Sequence, residues 1–257
     1  MIRQYIMALA PERGASLKQS DAYSLYAALL ETLSSEASCS LHEGESMISQ
    51  YLTPCIGRCE FLWTVNLIGE SSIDRCAQAL ERLTRLELRS GGISVTAENA
   101  GCLRIDSLFS MSEMLGGDSS CQRFVLRFLS PCAFRSGGEY VNFPSVRYIL
   151  GSLCKKWNAA FPDSYMEDED AVSMLEAGVK ITGYSLRGAS FRIKGVSIPS
   201  FSGTATLSAR LAPQMLQLFR SLLSFAPFCG MGIKTTLGMG GVSVKESPRQ
   251  AKEQRLT

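Results

Sequence analysis

The only histidine in the chain, His42, sits in the polar stretch SSEASCSLHEGES, residues 34–46. An imidazole titrates close to neutral pH, so it can both accept and return a proton during a reaction. Taken alone, a single histidine is as readily structural or solvated as catalytic. A second group of residues with chemical potential lies near the C-terminus, in PFCGMGIKTTLGMGGVSV. There Gly230, Gly232, Gly238, Gly240 and Gly241 surround Lys234-Thr235-Thr236. Glycines let backbone amides approach a phosphate, and a lysine adds a point charge. The spacing is not that of a nucleotide-hydrolysing P-loop, because Ile233 separates Gly232 from Lys234. The expected order is also reversed, with a helix before the loop and a strand after it. The alternative reading is a bulge-rich turn between those two elements.

Nine cysteines are present, an odd number, and no two have CxxC spacing. Cys55 and Cys59 are the nearest pair in the first half, and one histidine in the whole chain is little to add to them. Reduced, mostly buried thiols are expected, with no metal and no cofactor. Hydrophobic residues make up 46% and charged residues 19%, a composition that folds. No apolar run reaches the roughly 20 residues of a membrane span, and MIRQYIMALAPER turns polar too soon for a signal peptide. The expected compartment is therefore the cytoplasm. From Val179 to Thr257 eleven basic residues face only Glu246 and Glu253, a balance of +9 within a chain of net charge +2, so residues 1–178 carry −7. Such asymmetry fits a nucleic-acid-binding surface on an otherwise acidic protein, or an uneven scatter of solvated charge.

These residues need elements to hold them. Ile2 to Leu9 alternates as a strand does, and Ser20-Asp21 offers an N-cap to a helix from Ala22 to Leu33. Strands follow at Met47–Leu52 and Glu60–Ile68. A helix capped by Ser71-Ser72 is expected over about Ile73 to Leu86, with Ala77, Leu80 and Leu83 on one face, then strands at Ile93–Ala97 and Cys102–Leu108. The order is β-α-β-β-α-β. Residues 110–120 read as a linker. In the second half the pattern predicts a strand at Arg123–Leu129, a helix from Pro144-Ser145 through Trp157, and a loop or cap at MEDED, 166–170. Strands near Gly178–Leu186, Ser190–Val196 and Ser202–Leu211 follow, with a hairpin turning at Gly188-Ala189. A helix from Pro213 with a core face of Met215, Leu216, Phe219, Leu222 and Leu223 precedes the last strand. The fold class expected is α+β, two tandem ferredoxin-like (RRM-like) βαββαβ domains at 1–112 and 120–257.

The run FSGTATLSARLAPQMLQLFRSLLSFAPFCGMGIKTTLGMGGV resembles the C-terminal signature of the precursor-CRISPR-RNA-processing endoribonucleases of the RAMP superfamily. Its parts are Phe201 and Gly203 opening a strand, a helix, and a G-x-G-x-K-T-x-x-G-x-G loop. Arg127-Phe128-Leu129-Ser130-Pro131 with Phe134 is similar to the family's motif at the start of its second domain, and Lys155-Lys156-Trp157-Asn158 to the end of the next helix. Leu41-His42-Glu43 falls where members carry their catalytic histidine.

The resemblance implies cleavage within CRISPR repeats to give guide RNAs, with the RNA's own 2′-hydroxyl as nucleophile and without metal. His42 would be the acid–base group. A tyrosine on the first helix would assist, for which Tyr23 and Tyr26 are available and Tyr26 has the better spacing. The family's lysine after the histidine has no counterpart, since no lysine lies between Lys18 and Lys155; Arg58 could supply charge instead. RNA contacts would come from Lys234, Thr235, Gly230, Gly232 and Gly238 in the loop, and from Arg187, Arg192 and Lys194 on the basic hairpin. Partners implied are CRISPR repeat RNA and subunits of a CRISPR effector complex, for a protein acting as monomer or homodimer with no membrane contact. The rival reading is a RAMP subunit that binds such RNA without cutting it.

Overall fold

The computed structural model describes residues 2–12, 14–33, 46–55, 60–69, 73–89, 92–115, 120–166 and 168–247. His42 and Arg58, with the Ser71-Ser72 cap, lie outside the described residues. The first half builds a five-stranded antiparallel sheet in the order β2-β3-β1-β5-β4. Its strands are β1 (Ile2–Pro11), β2 (Ser46–Pro54), β3 (Phe61–Gly69), β4 (Arg85–Leu88) and β5 (Ile93–Ile105). Helices α1 (Ala22–Thr32) and α2 (Ile73–Glu81) cover one face, over a core that includes Tyr5, Leu25, Trp63, Leu80 and Val95. Two expectations need correction here. The second helix stops at Glu81, and Arg85–Leu88 forms a strand, exposing Arg85 and Glu87 and burying Leu86 and Leu88. That period of two is too short to tell from a helix end by sequence. Strand β5 is continuous, and the polar Glu98–Gly101 stretch holds a bulge where its register with β1 shifts between Ile6 and Met7.

In the second half β6 (Arg123–Cys132), β9 (Val179–Ile193), β10 (Val196–Ala209) and β11 (Val242–Glu246) pair in the order β11-β6-β10-β9. This is the ferredoxin-like order, with the unit's first strand between its last and third. Removing the edge strand β4 leaves the same order in the first sheet. Helices α4 (Val146–Ala160) and α6 (Pro213–Cys229) pack on one face through Phe124, Leu126, Leu153, Phe219 and Leu222. A small hairpin, β7 (Phe134–Ser136) with β8 (Glu139–Val141), precedes α4. Ser145 caps α4 through its hydroxyl, which accepts from the Tyr148 amide.

Three further elements depart from the sequence reading. The linker region carries a short helix, α3 (Leu108–Ser112). The acidic stretch opens a helix, α5 (Glu169–Gly178), where the Asp168 carboxylate accepts from the Asp170 and Ala171 amides. Carboxylates in a first turn also favour the helix dipole. Finally, three expected strands are two. Gly188 pairs with Phe201 inside β9, and the chain turns instead at Lys194-Gly195, both with positive φ (48° and 80°). Two successive left-handed residues suit the right-handed twist of a two-residue hairpin.

Buried polar side chains join the halves. Gln50 on β2 donates to the Ala22 and Thr236 carbonyls and accepts from the Trp63 indole. Ser49 donates to the Phe228 carbonyl, and Asn66 donates to Ser49 and to the Pro227 carbonyl at the end of α6. Gln50→Leu keeps the bulk and removes three partners at once. It should lower unfolding stability by about 1–3 kcal/mol for each polar group left unpaired, read as a shifted urea midpoint with unchanged slope. A midpoint equal to the parent's would mean that this joint adds nothing to folding.

Candidate nucleic-acid interface

The glycine-rich loop leaves α6 at Gly230 and reaches β11 at Val242. Many of its amides are already engaged. Gly230 donates to Ala226, Met231 to Gly240, Ile233 to Ala133, and Gly240 to Pro131, all backbone carbonyls. Gly232 and Gly241 donate to the hydroxyls of Ser152 and Ser130. Leu237 and Met239 both turn back to the Lys234 carbonyl. The glycines answer to packing. A Cβ on Gly232 would sit 2.2 Å from the Ala133 oxygen, and one on Gly238, at φ 107°, 2.4 Å from Cβ of Ala22. Gly230 has φ 67° and faces the Thr235 methyl group. The bulge-rich-turn reading therefore accounts for the glycines, and Thr235 is only 7% exposed.

Lys234 is different. It adopts a left-handed conformation (φ 54°) at the tip of the loop and is exposed. Beside it opens a cleft of about 860 Å³ between the loop, the β7–β8 hairpin and α4. Exposed Arg135, Arg147, Lys155 and Lys234 line it, with Glu176 the one acid among its lining residues. Arg147, Gly151 and Lys155 are spaced four apart, so they form one stripe along α4, and Gly151 adds no side chain between the two cations. That spacing is readable in the sequence, but it lies outside the C-terminal charge excess that points to residues 179–257. Lys156 points inward, where its amine donates to the Gly230 carbonyl at 2.9 Å. Burial pushes its pKa down, while burial pushes the neighbouring Cys132 and Cys229 thiols up to about 12.

The other candidates separate. Tyr26 is 8% exposed, packed in the first core beside Cys76, and burial raises its pKa. Tyr23 is half-buried against Phe191, Ile193 and Met239 of the second half. The Lys194 amine lies 5.7 Å from the centre of its ring, a cation–π contact. Arg187 and Arg192 are both exposed but five residues apart on one strand, so they point to opposite faces. Arg187 donates to the Ser202 hydroxyl. Among the described residues no three His, Cys, Asp or Glu side chains are grouped to hold a metal ion. No helix among them is long and apolar enough to cross a membrane.

The family profile described as CRISPR-associated endoribonuclease Cas6 matches residues 126–242, from β6 to the first residue of β11. A CRISPR-associated endoribonuclease Cas6 of Streptococcus thermophilus is 30% identical over 220 residues, 85% of this chain and 88% of the relative. The chain belongs to the Cas6 family of CRISPR-associated endoribonucleases. A Mycobacterium tuberculosis Cas6 is 29% identical over 164 residues, 63% of this chain and 52% of that protein. The folds agree along nearly the whole length. Thermus thermophilus Cas6 superposes with TM-score 0.71 at 23% identity, covering 95% of this chain and 98% of that one. A Cas6 product complex gives 0.75 at 22% identity, over 95% and 100%. The Cas6 fold accounts for the two ferredoxin-like sheets, and the family makes the chain an endoribonuclease.

The packing role of the loop gives a direct test within this Cas6. Gly238→Ala forces a side chain into a left-handed position against α1, at a cost of about 1–3 kcal/mol in backbone strain, seen as a lower thermal midpoint. Lys234→Ala, four residues away and exposed, should leave that midpoint in place. Equal effects from the two would overturn the distinction between them.

Proposed function

We propose that this chain cuts precursor CRISPR RNA within its repeats, using the RNA's 2′-hydroxyl as nucleophile and no metal ion, with His42 as the acid–base group. The observation that carries the reading is the cleft beside Lys234. Met47 lines it together with Arg135, Arg147 and Lys155. His42 is five residues upstream of Met47 in the chain, so covalent geometry alone keeps its backbone within about 18 Å of that wall. Positive charge at a scissile phosphate and a proton-transfer group within reach are what 2′-hydroxyl attack requires. Residues 1–112 would carry the proton chemistry and residues 120–257 most of the phosphate contacts, across the glycine-rich loop.

Of the tyrosines on α1, Tyr26 is buried in the first core, which supports a packing role, and Tyr23, next to Lys194, would be the one to reach RNA. Lys234 serves by its side chain, whereas Thr235, Gly230, Gly232 and Gly238 act by shaping the loop. Arg192 and Lys194 on the hairpin form a second contact region beyond α1. The product would pass to subunits of an effector complex.

His42→Ala should reduce cleavage of repeat RNA by about a hundred- to ten-thousand-fold, the range for losing a general acid or base, while leaving affinity close to the parent's. Retained activity in that variant would place catalysis elsewhere, with Tyr23 and Arg58 next to test. Cleavage should also persist in excess chelator and stop when the 2′-hydroxyl at the cut site is replaced by hydrogen. A parent that binds repeat RNA without ever cutting it would instead favour the binding-subunit reading.

The cleft cations make a separate prediction. Replacing both Arg147 and Lys155 by alanine should weaken RNA binding and flatten its salt dependence, by about 0.7 in log–log slope for each single-strand phosphate contact removed. An unchanged slope would show that RNA does not occupy this cleft.

A further inference from the structure

Away from the β9–β10 turn, where Tyr23 of α1 packs on Phe191 and Ile193, the second sheet has a face that no helix covers, and the strand register shows what it carries. Alternation sends Phe124, Leu126, Ala205 and Leu207 toward α4 and α6, so their neighbours point the other way. Reading across the strands, one row is Ser243, Arg127, Thr204 and Ser185. The next is Lys245, Val125, Thr206 and Gly183. Beyond it, Ser208 stands between Arg123 and Lys180. On the other side of the first row, Ser202 faces Arg187. All five cations are exposed. No Asp or Glu occupies any of these positions, and among the described residues none of the five is in an ion pair.

The composition of this face narrows what it can bind. Arginines and lysines interleaved with serine and threonine hydroxyls are the groups that contact phosphate and sugar. Bases in single strands are read by stacking on aromatic rings and by hydrogen bonds to their edges. Here there is no aromatic side chain. Tyr184 of β9 pairs with Ala205 on the opposite face and packs edge-on against Phe143. A protein partner would call for an apolar centre, and Val125 is the only aliphatic side chain in these rows. The cleft beside Lys234 lies on the α4 side of the sheet, so the two surfaces are separate.

We propose that this open face is a second RNA-binding surface, a backbone-only track that holds a single-stranded segment flanking the repeat without regard to its sequence. The proposal rests on the reading of the chain as a nuclease acting on repeat RNA, and it assigns the part of the strand that the cleft does not hold. An enzyme that must accept whatever sequence adjoins its repeat gains from charge and hydroxyls there and would lose from base-reading groups.

The test uses the full chain with the exposed positions Arg123, Arg127 and Lys245 changed to serine, and a second version with both arginines changed to lysine. Probes are the bare repeat RNA and the same repeat extended by a polyuridine or a mixed-sequence flank. For the parent, both flanks should tighten binding to a similar extent and steepen its salt dependence. The serine variant should lose that increment, with the log–log slope falling by about 2 for three phosphate contacts, and still bind and cut the bare repeat as the parent does. The lysine version should restore the increment. The proposal is overturned if flanks add nothing to the parent's affinity, or if the two flanks differ strongly. Equal loss on bare and flanked RNA would also overturn it, since the face would then belong to the repeat site. A parent that holds flanked RNA but neither binds nor cuts the repeat would refute the nuclease reading while leaving the track standing.

Discussion

One buried amide sets the geometry on which the rest of the molecule depends. The Gln50 side chain has two donor hydrogens and one acceptor oxygen, and it spends them on three different elements. The carbonyl of Ala22 belongs to α1, that of Thr236 to the glycine-rich loop, and the indole of Trp63 to β3. Burying an amide is costly unless each polar group finds a partner. Any slide of the helix or the loop along β2 would orphan at least one of them. The start of α1, with Tyr23, and the turn that carries Lys234 are therefore held at a fixed separation by one side chain bonded to both. Ser49 and Asn66 on the same sheet act in the same way on the last turn of α6. A wholly apolar seam would bury area just as well, but it would not choose between one register and the next.

The joint also ties down much of the backbone of the glycine-rich loop. Gly232, Gly238 and Gly240 pass so close to Ala133, Ala22 and Met231 that a methyl group would collide at each. The amides of Gly232, Gly240 and Gly241 fix the loop to α4 and to β6. Charge must come from elsewhere, and α4 supplies it through adjacent residues facing opposite ways. Lys156 turns inward to hold the Gly230 carbonyl, and Lys155 turns outward into the cleft. One turn of helix thus secures the loop and places a cation in the cleft beside it.

Legibility from the sequence followed the physics of each signal. The helices of α1 and α6 and the strands β1, β3 and β6 have long apolar periodicity, and each lies within a few residues of where the pattern puts it. Short elements did not read through. Arg85–Leu88 has only two buried positions, and α5 begins in a run of acids whose role as a cap depends on the Asp168 geometry. Gly188 looked like a turn because glycine usually punctuates a strand, yet the actual turn uses Lys194, a residue that sequence rules do not place at positive φ. The glycine-rich loop was found by its composition, but that composition could not say whether close approach served a phosphate or the protein's own backbone. The open basic face was invisible for a different reason. Its cations come from three strands far apart in sequence, β6, β9 and β11, and only their register brings them together.

That last point bears on how a small α+β protein divides its work. In each ferredoxin-like unit one face of the sheet is committed to helices, and the stability of the fold rests there. The first sheet gives part of its other face to the joint with α6. The second sheet gives only one end of its other face to the joint, where Tyr23 packs on Phe191 and Ile193, and keeps the rest free. A chain with only 19% charged residues can afford few cations, and those on this face have no acids beside them to neutralise the field they sum to. Strand alternation makes this possible at no cost to the core, since every second residue of β6 remains buried and apolar whatever its neighbours carry.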